Sequence, residues 1–139
     1  MRVSAHLCFD GQCEAAFRFY QEVFGGRIGT MLSYGESALA QQTPAHLHDR
    51  IIHASLVLDE HELLGADLMP ADYRAPAGFF VMMALPDVGR AQRIFAALGQ
   101  GGEIRMPFQE TFWSPGFGVV VDRFGTPWEI GCEQAEVSG

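Results

Sequence analysis

The order of apolar patterns along the chain limits its fold more than any other feature. Val3–Phe9 alternates apolar residues with smaller or polar ones, which predicts a strand, and a helix pattern follows at 12–26. Three further segments are predicted to be strands, at 27–34, 51–58 and 62–68. The segment 35–50 between them is predicted to be a loop. The first half of the chain therefore runs β-α-β-β-β.

The same order begins again after a connector. Residues 69–77 are rich in alanine and proline, which is typical of a segment that crosses the surface. Beyond it the sequence predicts a helix from Val88 to Leu98 and four strands, at Phe79–Leu85, Glu103–Pro107, Phe117–Asp122 and Pro127–Cys132. A repeat of 75–76 residues is too long for a solenoid unit, and two copies are fewer than a solenoid needs. We therefore predict a single domain, 1–139, with module one at about 1–68 and module two at about 78–133.

Both helix patterns have start and stop signals. Asp10 or Gly11 is predicted to cap the first helix, and Gly25-Gly26 to end it. Pro86-Asp87 predicts the start of the second helix. The buried stripe of the first helix is predicted from its spacing to be Ala16, Phe19, Tyr20, Val23 and Phe24.

The composition excludes several classes of function. The 139 residues are 48% hydrophobic and 19% charged, which is typical of a globular chain with an ordinary core. The net charge is −8 and the nine basic residues are all arginine, without a cluster, so neither a nucleic-acid surface nor a polybasic membrane patch is expected. Because the chain has no lysine, Schiff-base chemistry is excluded.

The cysteines and the apolar runs predict a cytoplasmic protein. Cys8, Cys13 and Cys132 are odd in number and lack C-x-x-C spacing, which argues against a disulfide framework or a thiolate zinc site. The longest apolar run, Phe79–Leu85, is far shorter than the roughly 20 residues of a membrane span, and the N-terminus has no export-signal pattern. The absence of both lysine and asparagine suggests a GC-rich, bacterial coding genome.

Four segments of the chain resemble the vicinal oxygen chelate superfamily, the glyoxalase, bleomycin-resistance and extradiol-dioxygenase group, and within it the PhnB-like branch. They are "LCFDGQCEAAFRFYQEVFGG" at 7–26, "IIHASLVLDEHELLGAD" at 51–67, the second helix, and "MPFQETFWSPGFGVVVDRFGTPWEI" at 106–130. The resemblance implies an α+β fold of two βαβββ modules, whose curled mixed sheets line a concave pocket, and a homodimer. Some members of this branch carry a methyltransferase label, but this sequence has no glycine-rich loop to hold S-adenosylmethionine.

The resemblance also implies where a metal would bind. Metal-bearing members hold zinc, nickel, iron or manganese with a first-strand histidine and a last-strand glutamate of each module. Glu129 matches the last-strand glutamate of module two, and it is a candidate acid or base if it is desolvated. Ala5 and Phe80 fall at the two histidine positions, and neither binds a metal. No cofactor is therefore expected, with a divalent metal as the alternative.

The register of the first strand leaves one alternative open. A shift of one residue puts His6 in the pocket instead of Ala5 and turns Leu7 and Phe9 toward the helix, so the two arrangements exclude each other. His6 then becomes a metal candidate. Its other interpretation is a partly exposed strand histidine.

Other residues are candidates for the pocket. His53 is either a ligand or a hydrogen-bonded core residue, and Asp67 is a weak candidate for the carboxylate of module one. His46 and His48 are expected to be solvated in their loop. Phe112 has a core interpretation, as do some of the residues predicted to bind a small molecule, which are Phe80, Met82, Gln109, Glu110, Trp113 and His53.

Two hypotheses of function follow. The first is a protein that binds a small apolar or aromatic molecule without a complete metal site. The second is a divalent-metal-dependent lyase, isomerase or dioxygenase that uses Glu129 with His6 and His53.

Overall fold

Two open, four-stranded mixed sheets contain all the strands of the computed structural model, which describes residues 1–133. The first sheet has the order β1-β4-β3-β2, and the second has the order β5-β8-β7-β6. The first sheet and its helix comprise β1 (His6–Phe9), α1 (Cys13–Phe24), β2 (Arg27–Ser33), β3 (Ile51–Leu58) and β4 (His61–Asp67). The second comprise β5 (Val81–Leu85), α2 (Val88–Gly99), β6 (Glu103–Gln109), β7 (Phe117–Val121) and β8 (Pro127–Cys132).

The α+β class and the repeated β-α-β-β-β order are confirmed. In each sheet the first strand pairs in parallel with the fourth, and all other pairs are antiparallel. The chain divides into two compact units, the first unit at Met1–Arg74 and the second unit from Ala75 onward. The predicted starts of β1 and β5 lie too early, since β1 begins at His6 and β5 at Val81. Other predicted bounds differ by one or two residues, and the loop 35–50 contains two 3-10 turns.

Helix α1 packs closely on the first sheet. Phe17 and Tyr20 are fully buried, and the ring of Phe17 lies edge-on to Phe9 of β1, with 6.3 Å between centroids. A Cβ at Gly65 would lie 2.5 Å from the Phe17 ring, so glycine in β4 permits the close approach of the helix. The predicted buried stripe of α1 was wrong in omitting Phe17, which is fully buried. It included Phe19, which is only half-buried.

The start of α1 is held by a residue from another strand. The N-cap residue, Gln12, makes no side-chain cap, so the prediction of a cap at Asp10 or Gly11 was wrong. Instead, Oδ1 of the buried Asp67 accepts hydrogen bonds from the backbone N–H groups of Gly11 (2.8 Å) and Cys13 (3.0 Å). A carboxylate at the end of β4 thus stabilises the positive end of the helix.

Helix α2 is capped locally, as predicted. Asp87 accepts hydrogen bonds from the backbone N–H groups of Gly89 and Arg90. The helix buries Ala91, Ile94, Phe95 and Leu98 on the second sheet. Because each helix covers only one side of its sheet, the opposite side, which we call the open face, is available for a site.

Candidate ligand-binding site

Burial on α1 decides which side chains of β1 lie on the open face. Leu7 and Phe9 are buried, with Phe9 packed against Phe17 of the helix. Since side chains alternate along a strand, His6 and Cys8 lie on the open face. Of the two registers that the sequence left open, the structure therefore has the one with His6 on the open face, because packing of the larger apolar residues on the helix sets the register.

The histidines of the first unit do not converge. His6 and His53 are both exposed, and β4 separates the strands that carry them. The nearest polar neighbour of the His6 ring is Cys8, whose Sγ lies 3.8 Å from Nδ1. Burial raises the pKa of the Cys8 thiol, so this pair does not favour a thiolate.

Three other candidate residues of the first unit are not available for chemistry, since Asp67 and His48 bind backbone groups and Cys13 is buried. Asp67 is engaged at both oxygens, since Oδ2 accepts a hydrogen bond from Ile51 N at 2.8 Å, and it is not available as a ligand. His48 Nε2 lies 2.9 Å from the carbonyl of Ala40 within the loop, so it holds the loop rather than facing solvent freely. Burial, with a smaller contribution from Asp67, raises the pKa of Cys13, which argues against nucleophilic chemistry there.

Glu129 lies on the open face of the second sheet. Its register partners are Met82 on β5 and Val119 on β7, and the side chain is half-buried. Within residues 1–133 it forms no ion pair or hydrogen bond. The structure therefore presents this carboxylate beside apolar side chains.

A cavity of about 530 Å³ lies at the carboxyl ends of β5 and β8 in the second unit. Met82 and Trp113, both named from the sequence, contribute to its wall. Its lining residues are Met82, Ala84, Trp113, Ser114, Phe117, Gly131, Cys132 and Glu133. Among the other predicted pocket residues of this unit, Phe80, Gln109 and Glu110 do not line it.

The wall of the cavity combines two aromatic rings with polar groups. Trp113 lies edge-on to Phe117, with ring centroids 5.4 Å apart. Ser114 Oγ lies 2.7 Å from the Cys132 carbonyl and accepts a bond from Gly116 N at 3.2 Å, so its orientation is fixed. An apolar wall with a few fixed polar groups is typical of small-molecule sites.

The aromatic residues near this cavity are more exposed than a core would allow. Phe112 is 93% exposed and Trp113 is 45% exposed. Phe79 and Phe80, which precede β5, are also exposed. The core interpretation of Phe112 and Trp113 was wrong, because 111–114 form a tight turn between β6 and β7 instead of a strand that crosses the sheet.

The cavity residues that were not predicted from the sequence lie on different elements of the second unit. Phe117 and Gly131 meet because β7 pairs with β8 in this register, and Ser114 and Glu133 flank those strands. Because side chains alternate along β8, Gly131 can be placed on the same face as Glu129 from the sequence. That Phe117 lies opposite Gly131 depends on the pairing of β7 with β8, which only the tertiary structure defines.

The donors do not fit a metal site of the implied kind. Over residues 1–133, no three side chains from His, Cys, Asp or Glu group closely enough to hold an ion. The residues that the resemblance implies as ligands therefore form no metal site within this part of the chain.

A comparison with known families decides the identity of the fold. The family model of the Glyoxalase/Bleomycin resistance protein/Dioxygenase superfamily matches residues 4–130. The chain belongs to this superfamily. Protein YjdN of Escherichia coli (strain K12) is 33% identical to this superfamily member over 138 residues, which cover 94% of each chain.

Solved structures agree with this assignment. Protein PA1353 from Pseudomonas aeruginosa is similar with a TM-score of 0.89 and 36% identity, covering 97% of this chain and 99% of that one. A putative 3-demethylubiquinone-9 3-methyltransferase, PhnB protein, from Bacillus cereus has a TM-score of 0.79 at 23% identity, covering 95% and 99%. The predicted superfamily is confirmed, with a PhnB protein among its structural neighbours. Neither helix found in residues 1–133 has the length and apolar character to cross a membrane.

Proposed function

We propose that this superfamily member binds a small apolar or aromatic molecule in the cavity of its second unit, without a complete metal site. The observation that carries the proposal is the cavity of about 530 Å³ with its aromatic wall. Sites for small molecules are typically concave, mostly apolar and a few hundred Å³ in volume. Membership of the superfamily is consistent with such a role and does not define the ligand.

The packing around the cavity supports a preformed site. Ser114, Phe117 and Cys132 are each less than a tenth exposed, so the inner wall is anchored in the second unit. Trp113 is 45% exposed and forms the more accessible side. A ligand that inserts between Trp113 and Met82 removes apolar surface from water at both, at about 25 cal/mol per Å².

We expect the neutral fluorescent probe N-phenyl-1-naphthylamine to bind saturably, and Gly131→Val to weaken its binding at least about tenfold by adding bulk to the wall. A Cβ at Gly131 would lie 3.4 Å from Phe117 Cδ2 and 3.7 Å from Met82 Cε, which are tolerable contacts that face the cavity. Probe fluorescence measured against protein concentration gives both affinities.

The matched control for this substitution is Ala66→Val. Ala66 follows Gly65 in β4 of the first unit, whereas Gly131 lies in β8, so the change adds bulk away from the cavity. We expect Ala66→Val to bind the probe like the parent. Equal probe affinity in the Gly131→Val protein and the parent, with both folded by circular dichroism, would exclude the cavity as the site.

A second candidate function is a divalent-metal-dependent lyase, isomerase or dioxygenase that uses Glu129. The observation in its favour is that Glu129 has no hydrogen-bond or ion-pair partner within the described residues 1–133. A half-buried carboxylate without a partner is free to bind an ion or a ligand.

We also propose a homodimer, on the superfamily resemblance, and a cytoplasmic location, on the free cysteines. Native mass spectrometry after incubation with zinc, nickel, iron(II) or manganese tests assembly and metal together. The expected species contains two copies of the 15.3 kDa chain without stoichiometric metal. A 15.3 kDa species at micromolar concentration contradicts the dimer, and metal that is lost in Glu129→Gln favours the second function.

Cell fractionation tests the proposed cytoplasmic location. Recovery of the protein in a periplasmic fraction would contradict it.

A further inference from the structure

The two units can be compared position by position at the carboxyl ends of their parallel strands. In the first unit Phe9 pairs with Asp67, and the next amide, Leu68 N, donates to Phe9 O at 2.9 Å. In the second unit Leu85 pairs with Cys132, and Glu133 N donates to Leu85 O at 2.7 Å. Leu68 and Glu133 therefore occupy the same position in the two modules.

A second pair of hydrogen bonds extends the comparison across the middle strands. Tyr34 N donates to Arg50 O at 2.8 Å in the first unit, and Thr111 N donates to Ser114 O at 2.9 Å in the second. Tyr34 thus corresponds to Thr111, and Arg50 to Ser114. The first unit places residues 35–49 between these positions, whereas the second has only Phe112 and Trp113.

In the first unit, the chain's own side chains cover the strand ends. Tyr34 Oη donates a hydrogen bond to Asp67 O at 3.1 Å. Arg50 Nη1 donates to Leu68 O at 2.9 Å and lies 2.9 Å from the carboxylate of Asp10. The Arg50 side chain is only 16% exposed. A phenol ring and a guanidinium therefore lie together at the ends of β1 and β4.

The second unit has short side chains at the same two positions. Thr111 and Ser114 carry neither a ring nor a cation, and Ser114 lines the cavity. Glu133, which replaces the apolar Leu68, is the one charged side chain among the residues that line this cavity. The second unit has therefore lost a ring and a cation and gained an acidic group.

We infer that the cavity takes a ligand with an aromatic ring and a cationic head, such as an amidinium, a guanidinium or a protonated amine. This inference rests on the proposed function and names its ligand class. The ring packs against Trp113 and Phe117, beside Cys132, which corresponds to the Asp67 that the Tyr34 phenol covers in the first unit. The head forms a charge-assisted hydrogen bond with the Glu133 carboxylate, as Arg50 does with Asp10. Cation and ring thus replace the two side chains that the second unit lacks.

Benzamidine and benzamide test this inference, because the two probes have nearly the same shape and only benzamidine is charged at neutral pH. We expect benzamidine to bind about tenfold more tightly than benzamide, since charge-assisted hydrogen bonds are the stronger kind. In Glu133→Gln we expect the two affinities to agree within about twofold. Calorimetric titration measures each dissociation constant, and Trp113 fluorescence provides a second signal.

Glu103→Gln is the matched control, because it removes the same charge from an exposed position at the start of β6. It is expected to keep the tenfold preference. Thr111→Tyr, which restores the phenol of the first unit, is expected to abolish benzamidine binding. Equal binding of the two probes to the parent, or a preference that survives Glu133→Gln, overturns the inference.

The result also separates this inference from the proposed function. If N-phenyl-1-naphthylamine binds and Gly131→Val weakens it while the two benzene derivatives bind equally, only the ligand class is wrong. If none of the three probes binds the parent, the proposed function and the inference both fail.

Discussion

Asp67→Ala is expected to lower the free energy of unfolding by about 4 kcal/mol, one of the two largest effects in this protein. The buried carboxylate accepts hydrogen bonds from the backbone N–H groups of Gly11, Cys13 and Ile51. Alanine leaves the Cys13 and Ile51 donors unpaired in a buried site and the Gly11 donor in a part-buried one. Each unpaired buried donor costs roughly 1–3 kcal/mol. Urea unfolding followed by circular dichroism gives the change.

Two further variants distinguish the hydrogen bonds from general damage. Asp67→Asn keeps the side-chain size and one acceptor oxygen, so we expect it to retain roughly half of the lost stability. Asp72→Ala removes an exposed carboxylate from the connector and is expected to change stability by less than about 0.5 kcal/mol. A loss below about 1 kcal/mol in Asp67→Ala would show that water replaces the carboxylate, contrary to this account.

Trp128→Ala is expected to lower the free energy of unfolding by about 3–5 kcal/mol, the range for a large buried aromatic. Trp128 is fully buried in β8, and its Nε1 donates to Asp122 Oδ2 at 2.9 Å. The same carboxylate accepts bonds from Phe124 N and Thr126 N, so Trp128 packs on the group that holds the turn between β7 and β8. Removing the indole therefore leaves a void and weakens this turn.

The other tryptophan provides the control for this measurement. Trp113 is 45% exposed, so we expect Trp113→Ala to cost less than about 1 kcal/mol. Trp128→Phe keeps much of the apolar volume and is expected to lie between the two, at about 1–3 kcal/mol. Similar losses in Trp113→Ala and Trp128→Ala would contradict the assignment of Trp128 to the core and of Trp113 to a ligand wall.

Most elements of the fold followed from local patterns. The helix stripes, the glycines after α1 and the alternating strands predicted the repeated β-α-β-β-β order, and β3 and β8 matched their predicted bounds. The first residues of β1 and β5 did not match the prediction, because apolar residues from Val3 and from Phe79 onward extend the pattern before the paired part of each strand. Pairing requires a partner strand, which the local pattern does not contain.

The candidate site was only partly accessible to sequence reasoning. Met82 and Trp113 were named, whereas Glu133 and Gly131 were not, because their roles depend on which strands pair and where those strands end. Asp67 was considered as a ligand, but its oxygens accept hydrogen bonds from three amides, two at the start of α1 and one at the start of β3. Such long-range hydrogen bonds leave no signal in residue spacing.

The sequence by itself determined the class of fold, the two modules and the superfamily, because periodicity and motifs are carried by neighbouring residues. Only the tertiary structure decided that His6 rather than Ala5 lies on the open face, since that depends on burial of Leu7 and Phe9 against α1. It also decided that Tyr34 and Arg50 cover one set of strand ends while Thr111 and Ser114 leave the other set open. The physical reason is that cross-strand register and packing bring together residues that are distant along the chain.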